Sequence, residues 1–516
     1  MHDRLHLLQA LLRTDFLAFL EKCFATLEPG IAYQENWHIA AMAEALRRVR
    51  DGTTKRLIIN VPPRSGKSIV TTIAYTAWVL GHDPRQRIIC VSYTDALAKA
   101  HAAAFRSIVT SAWYRALFPA FQIQRGGDRE METITTARGY RYAVSIAGPV
   151  LGRGADLIIG DDPMSPASAL SLAVRTRETN LWTTAHRTRL NNKLEGAIIL
   201  VMQRLHEQDL VGHVSESEAW ERLVIPAIAP EPQAYAIGPR PQDVYARAPG
   251  EVLHPEREPS EVLDATRRAI GSLTFSAQYQ QDPVPPGGNV IRREWLRTYD
   301  RPPSQFDRLV VAWDTASTLS EHSDWSVGTV WGMVGTDFYL LDVLRARLEA
   351  PGLHKAILAL SERWQADATL IEDTELGRAV SQMLRHGREL RPILRKPRFD
   401  KMARLLAQSA LFEAGQIHLP TEAPWLATYL NELLAFPTGQ HDDQVDATSC
   451  ALLYLGERSA RVQPPARRSR ASILPKVNRR RAQEALSPQE PDDKPTTEPR
   501  EYKVPASWQP GDPRPR

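Results

Sequence analysis

Hydrophobic and polar positions change their period several times along the chain. Residues 1–50 carry a helical pattern that closes in "HIAAMAEALRRVRDG", with Gly52 as the stop. After that, short apolar runs alternate with helical stretches. Strands are predicted over 56–61, 87–92, 156–160 and 197–202, with strand-like segments around 131–147. Helices are predicted over 67–80, 94–109 and 166–188. This alternation argues for an α/β unit, a parallel sheet with flanking helices. Residues 226–262 interrupt it with proline and charge, and "QYQQDPVPPGGNVI" repeats the interruption, so a connector is expected there. A second unit opens near Asp307. "RLVVAWDTAS" reads as a strand, and "SVGTVWGMV" and "DFYLLDVLRARL" as the next strands of an antiparallel meander. A helix, the strand "ATLIEDTELG", another helix and the closing helix "HDDQVDATSCALLYL" complete it near Gly456.

A length of 516 residues suits two or three domains, and 43% hydrophobic residues suffice for ordinary cores. Cys23, Cys90 and Cys450 are far apart with no CxxC pair, which argues for a reducing compartment, without disulfides or a structural zinc. No apolar run reaches the ~18 residues of a spanning helix, and the acid-containing amphipathic N-terminus is not a signal peptide. No membrane association is expected, and a cytoplasmic location is. The net charge of +4 is unevenly spread: residues 461–516 hold 13 Lys/Arg against 7 Asp/Glu and 11 prolines. They read as a disordered basic tail. The remaining body is near neutral, so nucleic-acid binding by it has to come from local basic patches.

The stretch "LIINVPPRSGKSIVTT" nearly spells a phosphate-binding loop. Gly66, Lys67 and Ser68 are in place, but Val61 stands where the first glycine is usual. The groups that touch phosphate lie downstream, in Arg64, Ser65, Gly66, Lys67 and Ser68. Gly66 lets the backbone approach, Lys67 meets the β/γ-phosphates, and Ser68 can ligate Mg²⁺. The helix start turns its N–H groups toward the anion. ATP with Mg²⁺ is the ligand expected. A metal-side acid is then needed at the end of a neighbouring strand, and "ADLIIGDDP" supplies Asp161 for the ion and Asp162 where a catalytic base, usually Glu, polarises water. Arg153 in "GPVLGRGAD" stands between glycines and reads either as an arginine finger or as a plain turn residue. Gln203, Arg204 and His206 close a later strand, a place suited to coupling nucleotide state to motion.

In the second unit, hydrolysis of a phosphodiester by two Mg²⁺ or Mn²⁺ ions calls for several carboxylates around one phosphate. Asp314 ends one apolar strand, and Glu372 and Asp373 end another. Asp442, Asp443 and Asp446 open the closing helix, with 443 and 446 on one helical face. Asp314, Glu372, Asp443 and Asp446 are the expected metal ligands, the exact choice among 442, 443 and 446 staying open. Asp373 reads as support behind the ligands, His441 as either a metal-adjacent residue or a helix-start polar group, and Asp324 as a turn aspartate rather than one pointing into the same cleft. "RKPRFDKMAR" holds Arg395, Lys396, Arg398, Lys401 and Arg404, a candidate grip on a phosphate backbone.

In their order, "PPRSGKS", "VSYTDALA", "GRGADLIIGDDP" and "MQRLHEQDLVGH" resemble the large terminase subunit of tailed bacteriophages, and "WDTAS", "IED" and "HDDQVDA" resemble its nuclease motifs. The resemblance implies a P-loop ATPase domain over 1–225 and a ribonuclease-H-like nuclease domain over 301–457, separated by the proline-rich connector 226–300 and followed by the tail 458–516, which the resemblance does not cover. By the same resemblance Gln34, Tyr33 and Trp37 are candidates for an adenine contact. Further implications are double-stranded DNA as substrate, ATP-driven packaging into an empty capsid, and endonucleolytic cutting of concatemers. The implied partners are a small terminase subunit, the portal protein of the procapsid and other copies in a homo-oligomeric ring, with the chain transiently docked on the procapsid in the host bacterial cytoplasm. A helicase-nuclease of repair or restriction is the alternative, although 226–300 is too short and proline-rich for a second helicase core.

Overall fold

The computed structural model describes residues 2–283, 290–315, 325–387, 390–396, 400–437, 439 and 441–462. The basic tail beyond 462, Asp324 and Arg398 lie outside the described residues. Two compact units are drawn, one from Met1–Gly288 with Phe399–Ala410 and the other from Asn289–Arg398 with Leu411–Arg516.

Eight strands build the sheet of the first unit: β1 (Arg56–Asn60), β2 (Arg87–Ser92), β3 (Ile123–Arg129), β4 (Glu132–Thr135), β5 (Tyr140–Ser145), β6 (Leu157–Asp161), β7 (Ala197–Val201) and β8 (Glu221–Val224). They are ordered β3-β4-β5-β2-β6-β7-β1-β8. From β5 to β8 every pairing is parallel, and β3, β4 and β5 close one edge as an antiparallel meander. The continuous apolar runs of β1, β6 and β7 are what a strand covered on both faces requires. Alternation sorts their side chains between two cores. Leu57, Ile59, Ile159 and Ile199 join the layer that includes the N-terminal helices, whereas Ile58, Ile158, Ile198 and Leu200 pack with Trp182, Leu210 and Val211. Asn36 caps the helix Trp37–Arg50 by accepting the His38 N–H, and Thr94 caps Asp95–Val109 by accepting from Leu97.

Three departures from the sequence reading have physical causes. The helix expected over 67–80 opens as a π-helical turn, Ile69–Ala74, before continuing as Tyr75–His82. Arg141, buried at 1% exposure on β5, donates from Nη2 to the Thr72 carbonyl at 3.2 Å within that wide turn. The proline-rich stretch expected to be a connector instead carries a hairpin, β9 (Gln233–Ala236) with β10 (Val244–Arg247). Its aromatic residues give it a packing surface: Tyr245 stacks on Trp37 with ring centroids 4.5 Å apart, and Asn36 Nδ2 donates to the Leu253 carbonyl. Trp37 is thereby used in packing. Residues 400–410, expected in the second unit, group with the first.

The second unit holds β11 (Arg297–Tyr299), β12 (Arg308–Asp314), β13 (Ser326–Val334), β14 (Asp337–Ala346), β15 (Ala368–Glu372), β16 (Ile393–Arg395) and β17 (Ile417–Pro420), ordered β11-β17-β14-β13-β12-β15-β16. β12, β13 and β14 form the expected antiparallel meander, and β15 joins β12 in parallel. The helix Asp443–Val462 packs on β12 and β13. Among the described residues no helix is long and apolar enough to cross a membrane.

Each sheet makes room for a fully buried tryptophan beside a glycine. A Cβ on Gly160 would stand 2.7 Å from the Trp182 ring, and one on Gly328 would stand 2.7 Å from the Trp313 ring. Neither ring has space to retreat, so Gly160→Ala and Gly328→Ala are each expected to destabilise their own unit by about 1–3 kcal/mol. Denaturant unfolding followed by tryptophan fluorescence checks this.

Candidate functional site

The strand β1 delivers the loop 61–66 to the carboxyl edge of the sheet. Val61 is fully buried, so the side chain that replaces the usual glycine belongs to the core. The loop takes its left-handed turns elsewhere, at Arg64 (φ 63°) and Gly66 (φ 73°). Lys67 is 7% exposed, and its Nζ lies 3.0 Å from Asp162 Oδ2 and 2.5 Å from the Gln203 Oε1 that accepts from it. Ser68 Oγ donates to Asp161 Oδ1 at 3.1 Å. The sequence reading put the acid strand next to β1; instead β7 runs between β1 and β6, which is why Gln203, just past β7, meets Lys67.

Asp161 is fully buried, and its Oδ2 has no hydrogen-bond partner. Burial pushes the Asp162 carboxyl up to about 6, with Lys67 pulling it down and Asp161 pushing it up. An orphaned carboxylate oxygen beside a serine hydroxyl fits a hydrated Mg²⁺. His101 is a residue the sequence reading missed. It sits on the buried face of helix Asp95–Val109 with Nδ1 3.6 Å from Asp161 Oδ2. The only signal was its place in that helix's inward row with Ala98, Ala102 and Phe105.

Beside the loop lies a cavity of about 260 Å³, lined by Leu20, Phe24, Tyr33, Gln34, Ser65 and Gly66 among others. Gln34 and Tyr33 are thus brought to the phosphate loop. His38 closes the cavity floor, its Nε2 3.2 Å from the Ser65 carbonyl, and burial drives its imidazole down to about 4. Arg153 is not brought there. It precedes β6, whereas Asp161 ends it; its guanidinium pairs with Glu132 on β4 and lies 3.9 Å over the Tyr142 ring. The finger reading therefore has no support within this chain's own site, because the side chain is consumed by a structural ion pair.

In the second unit, Asp314 and Glu372 end neighbouring parallel strands, one residue beyond the Trp313–Ile371 pairing. Burial raises the Asp314 carboxyl well above the usual range, followed by its hydrogen bond with Glu372 and the charges of Glu372, Asp446 and Asp443. Asp443 and Asp446 thus act on Asp314 through their charge, and Glu372 through a direct hydrogen bond. Asp446 is 2% exposed, and its N–H donates to the Asp442 carbonyl in the first helical turn. Among the described residues no three of these groups already stand at ready-made ligating distance; Asp314 and Glu372 are hydrogen-bonded directly to each other. The donor set itself, carboxylate oxygens only, suits a hard divalent ion.

Asp373 turns away to Arg378 at 3.5 Å, and His441 is exposed. The basic stretch is not one strip: Arg395 pairs with Glu457 at 3.0 Å, and Arg404 is buried.

With this geometry in view, similarity to known proteins is informative. Residues 311–455 match the family model of the terminase RNaseH-like domain. The large terminase subunit of Enterobacteria phage T3 is 22% identical over 302 residues, covering 54% of this chain and 49% of that protein. The chain thus spans about half the length of the curated relative it matches. The large terminase of a thermophilic bacteriophage has a similar fold, with a TM-score of 0.50 at 10% identity over 84% of this chain and 98% of that one. A second crystal form of that protein, in complex with ATP-gamma-S, gives a TM-score of 0.46 at 11% identity, over 83% of this chain and 97% of that one. The fold class read from the sequence is borne out, a parallel α/β unit followed by an RNase-H-like unit. The chain is similar to phage large terminase subunits, and residues 311–455 match the model of their RNase-H-like domain.

Removing Arg153 leaves Glu132, which is 6% exposed at its side chain, without its closest cation. Arg153→Ala is expected to lower stability by about 1–3 kcal/mol, read as a fall in melting temperature of the purified chain.

Proposed function

We propose that this chain is the ATPase and endonuclease of a DNA-packaging machine. Its first unit binds ATP with Mg²⁺ and uses hydrolysis to move double-stranded DNA. Its second unit cuts concatemeric DNA with two divalent ions. The observation that carries this reading is the presence in one chain of both clusters. Lys67, Ser68, Asp161 and Asp162 meet at one sheet edge, and in the second unit Asp314 is hydrogen-bonded to Glu372 with the charges of Asp443 and Asp446 acting on it.

In the first site Arg64, Ser65, Gly66 and Lys67 hold the phosphates, and Ser68 and Asp161 hold the ion. Gln34 lines the cavity where the base lies. Asp162, 3.0 Å from Lys67, is the group that would orient the attacking water. Lys67, within reach of both Asp162 and Gln203, would pair with the phosphates of a bound nucleotide. In the second site, a pair of Mg²⁺ or Mn²⁺ ions supplies Lewis acidity and an activated water when bound. Asp314 and Glu372 would hold the ions from the sheet, and Asp443 and Asp446 from the helix. Mutual repulsion among these acids makes the site incomplete without cations. The partners that follow are a small terminase subunit, the portal of the procapsid and further copies in a ring.

The two activities are expected to separate by mutation. Lys67→Ala lowers ATP hydrolysis by about 100-fold or more and leaves Mn²⁺-dependent cutting of naked DNA near its original rate, whereas Asp314→Ala does the reverse. ATPase and plasmid-nicking assays on the folded variants decide it; loss of cutting with surviving ATPase in Lys67→Ala refutes the assignment.

A further inference from the structure

The helix that carries Asp443 and Asp446 is not placed by its own sequence. Glu432, on the preceding helix Leu426–Ala435, is 7% exposed and reaches across to it. Glu432 Oε1 accepts the backbone N–H of Gln444 at 2.6 Å, and Oε2 accepts from the Gln444 side-chain Nε2 at 2.6 Å. The first contact satisfies one of the N–H groups that a helix start leaves open. The second pins the side chain of the same residue, so the helix is fixed in rotation as well as in position. Gln444 lies between Asp443 and Asp446 in sequence, and its rotation sets where both carboxylates sit. Arg345 on β14 approaches Glu432 from the sheet, with Nη2 3.8 Å from Oε2, and its guanidinium lies 4.5 Å over the Trp325 ring. One turn further along, Tyr429 Oη and Thr448 Oγ1 meet at 2.9 Å, keying the same two helices a second time.

We propose that Glu432, backed by Arg345, is a positioning residue of the nuclease centre: it holds the helix-borne acids in register with Asp314 and Glu372 for binding divalent ions. This rests on the nuclease reading above. An acid placed here adds negative charge to a region already holding four carboxylates, a cost that a neutral capping group would avoid. What the carboxylate provides is two acceptor oxygens for two donors of one residue. Glutamine keeps one acceptor and presents a donor to the other partner, so it restores only part of the grip.

The test is Mn²⁺ binding to the full chain without nucleotide, followed by electron paramagnetic resonance, alongside DNA nicking as a function of Mn²⁺. Wild type and Asp314→Ala define the nuclease-site ions; if no Mn²⁺ site is lost in Asp314→Ala, the nuclease reading falls and this inference with it. Given that site, Glu432→Ala weakens its Mn²⁺ affinity by about 10–100-fold, Glu432→Gln weakens it less, and saturating Mn²⁺ restores nicking in both. ATP hydrolysis stays unchanged. Mn²⁺ affinity in Glu432→Ala within about twofold of wild type overturns the proposal, as does a nicking defect that saturating Mn²⁺ leaves in place in the folded Glu432→Gln protein.

Discussion

A carboxylate buried at the end of a strand is costly unless a cation faces it, several kcal/mol per charge in a folded protein. Both units of this chain are arranged around that constraint. In the first, Asp161 and Asp162 end β6 beneath the phosphate loop, and Lys67 answers Asp162 directly. Asp161 keeps one buried oxygen without a hydrogen bond, with His101 Nδ1 3.6 Å away. In the second, Asp314 meets Glu372 and feels Asp443 and Asp446, and burial with these like charges holds it toward its protonated form. Each cluster holds buried acids whose charge a cation would offset.

The folds explain how such tension is tolerated. Parallel strands covered on both faces deliver side chains to one edge of a rigid sheet, and the cores around Ile158, Ile198 and Trp182, or around Trp313 and Val311, hold that edge in place. The phosphate loop gains its curvature from Arg64 and Gly66 and leaves Val61 to the core. The π-helical turn that follows, with Arg141 donating to Thr72, places an irregular stretch directly after the residues proposed to touch phosphate, where such turns recur in functional sites.

Much of this was legible in the sequence because strand-terminal acids and a GKS-type loop are local signals. The alternation of strands and helices, the meander from Arg308 and the closing acidic helix came from period and punctuation alone. Less legible was anything set by strand order. Sequence places the acid strand near the phosphate loop but cannot reveal that β7 intervenes and that Gln203 therefore meets Lys67. Arg153 looked free between two glycines, yet its partner Glu132 lies on another strand. The proline content of 226–262 concealed a hairpin held by Tyr245 on Trp37, a long-range stack with no local trace. His101 and Glu432 escaped for the same reason, since each acts across elements.

The central claim is that the acids of the second unit form one centre for a pair of divalent ions. A crystal structure grown with Mn²⁺, with anomalous scattering used to locate the metal, tests it most directly. The account predicts two peaks about 4 Å apart, each touched by carboxylates from Asp314, Glu372 and the helix acids. Mn²⁺ bound elsewhere on the chain with no peak at Asp314 contradicts it.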